Sequence, residues 1–63
     1  MLSLTFQRRV YNAHKKGKTY PSGNYEYSIE YNPLAATHTW IIRRRHLIRE
    51  NWKFFQPLDE SIM

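Results

Sequence analysis

Hydrophobic and polar positions alternate most clearly between Tyr25 and Tyr31. Every second residue of this segment is aromatic or aliphatic, and the three residues between them are two glutamates and a serine. Period-two alternation of β-branched and aromatic residues is typical of a half-buried strand. Asn32-Pro33 ends the pattern, because proline has no N–H to donate to a neighbouring strand. The pattern therefore predicts a β-strand over these residues.

A second alternating segment follows, from Thr37 to about Arg44. His38, Trp40 and Ile42 share one face of this segment. The connection from the first strand is about five residues long, which suits an antiparallel hairpin. We expect the two segments to pair in this way.

The period changes after residue 44. Between about Arg45 and Phe55, most of the apolar side chains fall within one arc of a 3.6-residue helix, and charged side chains occupy the remainder. This pattern favours an amphipathic helix that lies on a sheet. Gln56-Pro57 would end it.

The N-terminal segment, residues 2–16, fits two interpretations. Leu2, Leu4, Phe6 and Val10 alternate with polar residues, as in a strand, but Leu2, Phe6, Val10 and Ala13 also share one helical face. Gly17 would make a good helix C-terminus. The strand is preferred for residues 2–11, and residues 12–24 are interpreted as a polar loop.

These elements predict an α+β fold, a three-stranded antiparallel sheet with a C-terminal amphipathic helix packed on one face. Residues 1–56 would form a single small domain, and residues 57–63 a flexible C-terminal tail. The predicted core consists of Leu2, Leu4, Phe6, Val10, Tyr25, Tyr27, Ile29, Tyr31, Trp40, Ile42, Leu47, Ile48, Trp52 and Phe55.

Composition argues against several classes of function. The 63 residues include no cysteine, which excludes disulfides and thiolate zinc sites, and only three histidines, which are scattered. No arrangement of nucleophile, base and orienting group is apparent, and no glycine-rich phosphate loop is present. We therefore expect no enzymatic activity, no metal and no cofactor. No segment is apolar enough to span a membrane, and a cytoplasmic location is the default.

Charge is the most informative feature of the composition. The formal net charge is +5, from ten Lys and Arg against five Asp and Glu. The cations come in two blocks, which is the footprint expected for binding a polyanion. The first block holds Arg8, Arg9, Lys15, Lys16 and Lys18, and the second holds Arg43, Arg44, Arg45 and Arg49.

Each block also has an alternative interpretation. Net charge of this size serves solubility in many small domains. Arg43 would pair with Glu26 or Glu30 across the hairpin, and Arg45 and Arg49 would belong to a solvated helix face. In the functional interpretation, the arginine run contacts phosphates or a base edge, while the first block binds backbone phosphates.

Two tyrosines fall beside the first basic block and outside the predicted core. Tyr11 and Tyr20 flank the predicted loop that carries the three lysines. Exposed aromatic rings near cations stack on unpaired bases, although a loop tyrosine also packs commonly on its own domain. We include both as candidate nucleic-acid contacts.

The predicted function is that of a small basic nucleic-acid-binding protein, with DNA favoured over RNA, in an accessory or regulatory role. The alternative is a protein-binding modulator or inhibitor, of viral or mobile-element type, that docks on an acidic host protein. A second copy of the chain is a further candidate partner, and no membrane partner is expected.

The segment from Ile42 to Trp52 resembles the wing-to-last-helix stretch of excisionase-type winged DNA-binding domains. The resemblance covers only eleven residues. The helix-turn-helix that should precede it is missing, since residues 24–42 are predicted to form strands. No site residue is therefore transferred from that family.

Overall fold

The computed structural model describes residues 2–34, 39–48 and 51–63. Within them, one helix precedes four strands and a short 3₁₀ turn. The elements are α1 (Leu4–Lys15), β1 (Tyr20–Ser22), β2 (Tyr25–Tyr31), β3 (Trp40–His46), β4 (Lys53–Pro57) and the 3₁₀ turn Glu60–Ile62. The prediction of a three-stranded sheet with a C-terminal helix is wrong: the helix is N-terminal and the antiparallel sheet has four strands.

The sheet is a simple meander in the order β1-β2-β3-β4. The predicted hairpin is confirmed, with Tyr27 opposite Arg44 and Ile29 opposite Ile42. Trp40 begins β3, and the predicted strand residues Thr37 and His38 lie outside the described residues. Because successive side chains point to opposite faces of a strand, Ile42 and Arg44 lie on the face that α1 covers, and Arg43 and Arg45 lie on the other. We call the latter the outer face.

Residues 4–15 form a helix, not the preferred strand. Ser3 caps its N-terminus, since its hydroxyl oxygen accepts a hydrogen bond from the backbone N–H of Phe6 at 3.1 Å. Gly17 follows the C-terminus with φ of 73°, the left-handed conformation in which helices commonly end. Phe6 and Val10 are four residues apart, so they share a face in a strand and in a helix alike. Their spacing did not distinguish the two structures, whereas the caps favour the helix.

The predicted loop over residues 12–24 contains the last turn of α1 and strand β1. Ser22 pairs with Tyr25, so Gly23 and Asn24 form a two-residue hairpin connection. Gly23 has φ of 61°, which suits the first position of a type II′ turn, where glycine is favoured. This turn joins β1 to β2. Strand β1 was not predicted, because the segment that contains it is polar.

The predicted helix over residues 45–55 is replaced by the end of β3, a turn and β4. Ile42 pairs with Gln56 and Arg43 with Phe54, which leaves Phe55 as the extra residue of a β-bulge. The apolar residues that the predicted helix would place on one face therefore lie in different environments. Ile48 is 83% exposed and Leu47 is 47% exposed, while Phe55 packs against the core. The last helix of the excisionase-type resemblance is thus absent from the described residues.

The core lies between α1 and the sheet. Its buried members are Val10, Tyr27, Ile29, Ile42 and Leu58. Leu58, only 2% exposed, lies beyond the predicted domain end at residue 56, so the chain that follows β4 contributes to the core. Leu4 and Tyr31, predicted to be core residues, are 45% and 51% exposed.

A buried glutamine joins both ends of the chain to the core. Gln7 is 3% exposed, although the period-two pattern placed it on the polar face. Its side-chain N–H donates to the backbone carbonyl of Leu2 at 3.1 Å, and its Oε1 accepts from the backbone N–H of Asp59 at 2.9 Å. Both polar atoms of the amide are therefore satisfied, as burial requires.

Shortening a side chain at the centre of this core should lower stability. Ile42 has no exposed surface, and removal of one buried methyl group typically costs about 0.5–1.5 kcal/mol. We expect Ile42→Val to lower the free energy of unfolding by this amount in urea titrations followed by circular dichroism. The matched control, Ile48→Val at an exposed position, should change it by less than about 0.5 kcal/mol. Equal losses in both variants would contradict the described packing.

Candidate nucleic-acid interface

Helix α1 carries a solvent-exposed array of cations. Arg8, Arg9 and Lys15 lie in the helix, Lys16 is its C-cap, and all four are exposed. At 3.6 residues per turn they fall within an arc of about 120°, on the side of the helix opposite the buried Val10. Lys18 is exposed in the turn that follows. We call these five residues the cationic helix surface.

This surface accounts for the whole net charge of the protein. Residues 1–18 contain five cations and no acid, while the remaining residues contain five cations and five acids. Among the described residues, none of the five cations forms an ion pair, since both ion pairs there involve β3. Residues 1–18 therefore carry the net positive charge, although Arg44 and Lys53 also lack a carboxylate partner among the described residues.

Two arginines of the second basic block are engaged on the outer face. Arg43 donates to Glu30 at 2.7 Å, and Arg45 donates to Glu26. Both guanidinium groups also lie over the ring of Trp52, with Cζ atoms 5.7 and 5.5 Å from the ring centroid. The cross-strand pairing expected for Arg43 is thus present, and Arg45 pairs in the same way.

Glu26 is the better shielded of the two carboxylates, although Arg45 is more exposed than Arg43. Only 13% of the Glu26 side chain is exposed, against 47% for Glu30. The hydrogen bond from Arg45 lowers the pKa of Glu26 below the ordinary value of 4.5; desolvation opposes this, and a hydrogen bond from Thr19 reinforces it. Glu26 is accordingly held in its charged form as the partner of Arg45.

Arg44 lies on the opposite face from its neighbours. Its Cζ atom is 4.3 Å from the ring centroids of both Tyr25 and Phe55, so the guanidinium is enclosed between two aromatic rings. The arginine run therefore does not form one patch, because alternation along β3 sends its members to two faces. Arg49 lies outside the described residues.

The two candidate tyrosines differ in position. Tyr20 packs edge-on against Phe6, with ring centroids 5.4 Å apart, at the margin of the core. Tyr11 is half-buried next to the cationic helix surface, and the Lys15 ammonium lies 5.2 Å from its ring centroid. Only Tyr11 is thus combined with the exposed cations.

Comparisons with known proteins add no family. No protein-family model matches the chain, and no curated protein or solved structure matches it either. In the described part of the chain, no helix is long and apolar enough to cross a membrane, and no three His, Asp or Glu residues are grouped as metal ligands would be.

The Arg45–Glu26 pair should make stability depend on pH. Because the pKa of Glu26 is lower in the folded state, its contribution is present above the ordinary glutamate pKa of 4.5 and is lost as pH falls through the lower folded-state value. Glu26→Gln should therefore be less stable than the wild type at neutral pH, and this deficit should shrink in acid. Chemical denaturation at several pH values measures it.

The control for this measurement removes the donor. In an Arg45→Gln background the main cause of the lowered pKa is absent, so Glu26→Gln should show a much weaker pH dependence. A deficit of equal size at neutral and acidic pH, in the presence of Arg45, would argue against the ion pair as its cause.

Proposed function

We propose that this chain is a small nucleic-acid-binding protein whose principal contact is the cationic helix surface. The supporting observation is that the five cations of this surface are exposed, and that their summed charge equals the formal net charge of +5. They are Arg8, Arg9, Lys15, Lys16 and Lys18. Lys and Arg that neutralise phosphates release condensed counterions, which supplies affinity independent of sequence. DNA remains the favoured partner in the proposal, with an accessory or regulatory role and a cytoplasmic location.

The spacing along the helix suits an extended polyanion. Arg8 and Lys15 are seven residues apart, as are Arg9 and Lys16, which is about 10 Å along the helix axis. Two pairs of cations separated in this way contact a phosphate chain at two places. They also leave the intervening Asn12, which is exposed, facing the same ligand.

The β3 arginines have a smaller part in this proposal than the sequence suggested. Arg43 and Arg45 each have a carboxylate partner, so their charge is already compensated. Arg44 is held between Tyr25 and Phe55. Affinity for phosphates is therefore assigned mainly to α1.

Protein binding is the second candidate function. Phe54 is 61% exposed on β4, next to Arg43 in the strand register, and large aromatic residues and arginines are enriched at interface hot spots. The outer face around Phe54 carries paired charges of both signs, so it has no net charge that would attract an acidic protein. An acidic protein partner would therefore bind the cationic helix surface in preference to the outer face.

The proposal is tested by matched charge removal. Arg8→Gln with Arg9→Gln removes two cations of the helix surface, and glutamine preserves helix propensity. We expect weaker binding to a fluorescent DNA duplex or single strand. The slope of log K against log salt should also become shallower by about 1.4–1.8, the value for two lost phosphate contacts. Fluorescence anisotropy at several salt concentrations measures both.

The matched control is Arg43→Gln with Lys53→Gln, which lowers the net charge by the same two units away from α1. Arg43 loses a partly exposed ion pair and its contact with the Trp52 ring, and neither side chain is buried, so the fold should be retained. Binding and its salt slope should change much less than in the helix variant. Equal effects in the two variants would assign affinity to net charge instead of to the helix, and salt-independent binding would remove the proposal.

A further inference from the structure

Four aromatic side chains form a continuous row from the last turns of α1 to the ends of β2 and β3. Tyr11 stacks near His14, with centroids 6.4 Å apart and an interplanar angle of 28°. His14 meets Trp40 edge-on at 6.1 Å, and Trp40 contacts Tyr31 at 4.8 Å. We call Tyr11, His14, Trp40 and Tyr31 the aromatic row.

The row lies on the face of the sheet that α1 covers. Tyr31 and Trp40 face each other there across the β2–β3 pair, and His14 in the last turn of the helix contacts Trp40. Tyr31 is 51% exposed, although the strand pattern predicts it in the core.

The row adjoins the cationic helix surface directly. Lys15 belongs to that surface, and its ammonium lies 5.2 Å from the Tyr11 ring centroid at one end of the row. His14 is next to Lys15 in the chain. Cations that follow a phosphate backbone beside aromatic rings that accept bases are the combination used by proteins that bind single strands.

The chemistry of the row distinguishes between forms of nucleic acid. In a duplex the bases are paired and stacked on one another, so their faces are not offered to a protein ring, whereas unpaired bases stack on aromatic side chains. Tyr31 is exposed, and the other three rings of the row are half-buried. A surface that combines uncompensated cations with such rings therefore gains more from a single strand than from a duplex.

We propose that the aromatic row stacks on unpaired bases, so that single-stranded nucleic acid is the preferred ligand. This inference depends on the proposed function, because the cationic helix surface supplies the backbone contacts. Tyr31, the most exposed member of the row, takes the first base. Trp40 and His14 line the path from it to Tyr11 and Lys15.

The first test uses Tyr31→Ala, with Tyr31→Phe to retain the ring. Binding of a short mixed-sequence single strand, of an abasic strand of the same length and of the corresponding duplex is measured by fluorescence anisotropy at one salt concentration. The wild type should bind the base-containing strand best. Tyr31→Ala should weaken that binding by about tenfold and leave the abasic and duplex affinities unchanged, while Tyr31→Phe should resemble the wild type.

The matched control is Phe54→Ala. Phe54 is 61% exposed, as prominent as Tyr31, but it lies on the outer face opposite Arg43. Its removal should not alter any of the three affinities. Unfolding measurements on each variant show whether a loss of binding reflects a loss of structure. The Tyr31→Phe variant shows whether the aromatic ring alone is sufficient for binding.

A second readout uses the two tryptophans of the chain. In Trp52→Phe only Trp40 remains, and a single strand should quench its fluorescence, whereas the abasic strand should not. In Trp40→Phe the remaining Trp52 lies on the outer face between Arg43 and Arg45, and its fluorescence should not respond.

The outcomes separate the two proposals. Salt-dependent binding that requires Arg8 and Arg9, but is equal for base-containing and abasic strands and insensitive to Tyr31→Ala, would overturn the aromatic row alone. Absence of binding to every probe, or binding indifferent to the helix cations, would overturn the proposed function and this inference together.

Discussion

The packing of a single helix against one face of a four-stranded sheet is the constraint on which the rest of the molecule depends. Val10 and Phe6 of α1 meet Tyr27, Ile29 and Ile42, and the chain has no disulfide to substitute for this contact. A core this small supplies only about 3–5 kcal/mol. Phe6 and Val10 of the helix are turned toward the sheet, and the cations of the helix are directed to solvent.

The outer face of the sheet is stabilised differently. No helix covers it in the described part of the chain, and it is organised by cross-strand pairs of arginine with glutamate and by the ring of Trp52. Pairs of this kind are individually weak, but they balance the charges of Arg43 and Arg45 against those of Glu30 and Glu26 on this face. Because the paired charges of this face cancel, the net positive charge of the protein resides in residues 1–18, which include α1 and the turn after it. The proposed function depends on this distribution of charge.

Much of the candidate site was accessible from the sequence because charge is a property of composition. The absence of acids among residues 1–18 is visible without coordinates, and so is the possibility that Arg43 pairs across the hairpin. The sequence did not show which of the two basic blocks is free of ion pairs, because that depends on which arginines lie next to a carboxylate in the folded structure. Tyr31 was missed for a related reason: its alternating strand pattern predicts burial, whereas its exposure depends on tertiary packing, which a local pattern does not contain.

The sequence by itself determined the β2–β3 hairpin, since alternation within a strand is local and Tyr27, Ile29 and Ile42 need a common buried face. It also determined the net charge and its two blocks. Only the tertiary structure decided between helix and strand for residues 4–15 and 45–55. The spacing of Phe6 and Val10 is compatible with the period of a strand and with that of a helix. Residues 53–57 form a strand because they pair with the edge of β3. Long-range pairing of this kind leaves no reliable local signature, which is why the helix was expected at the wrong end of the chain.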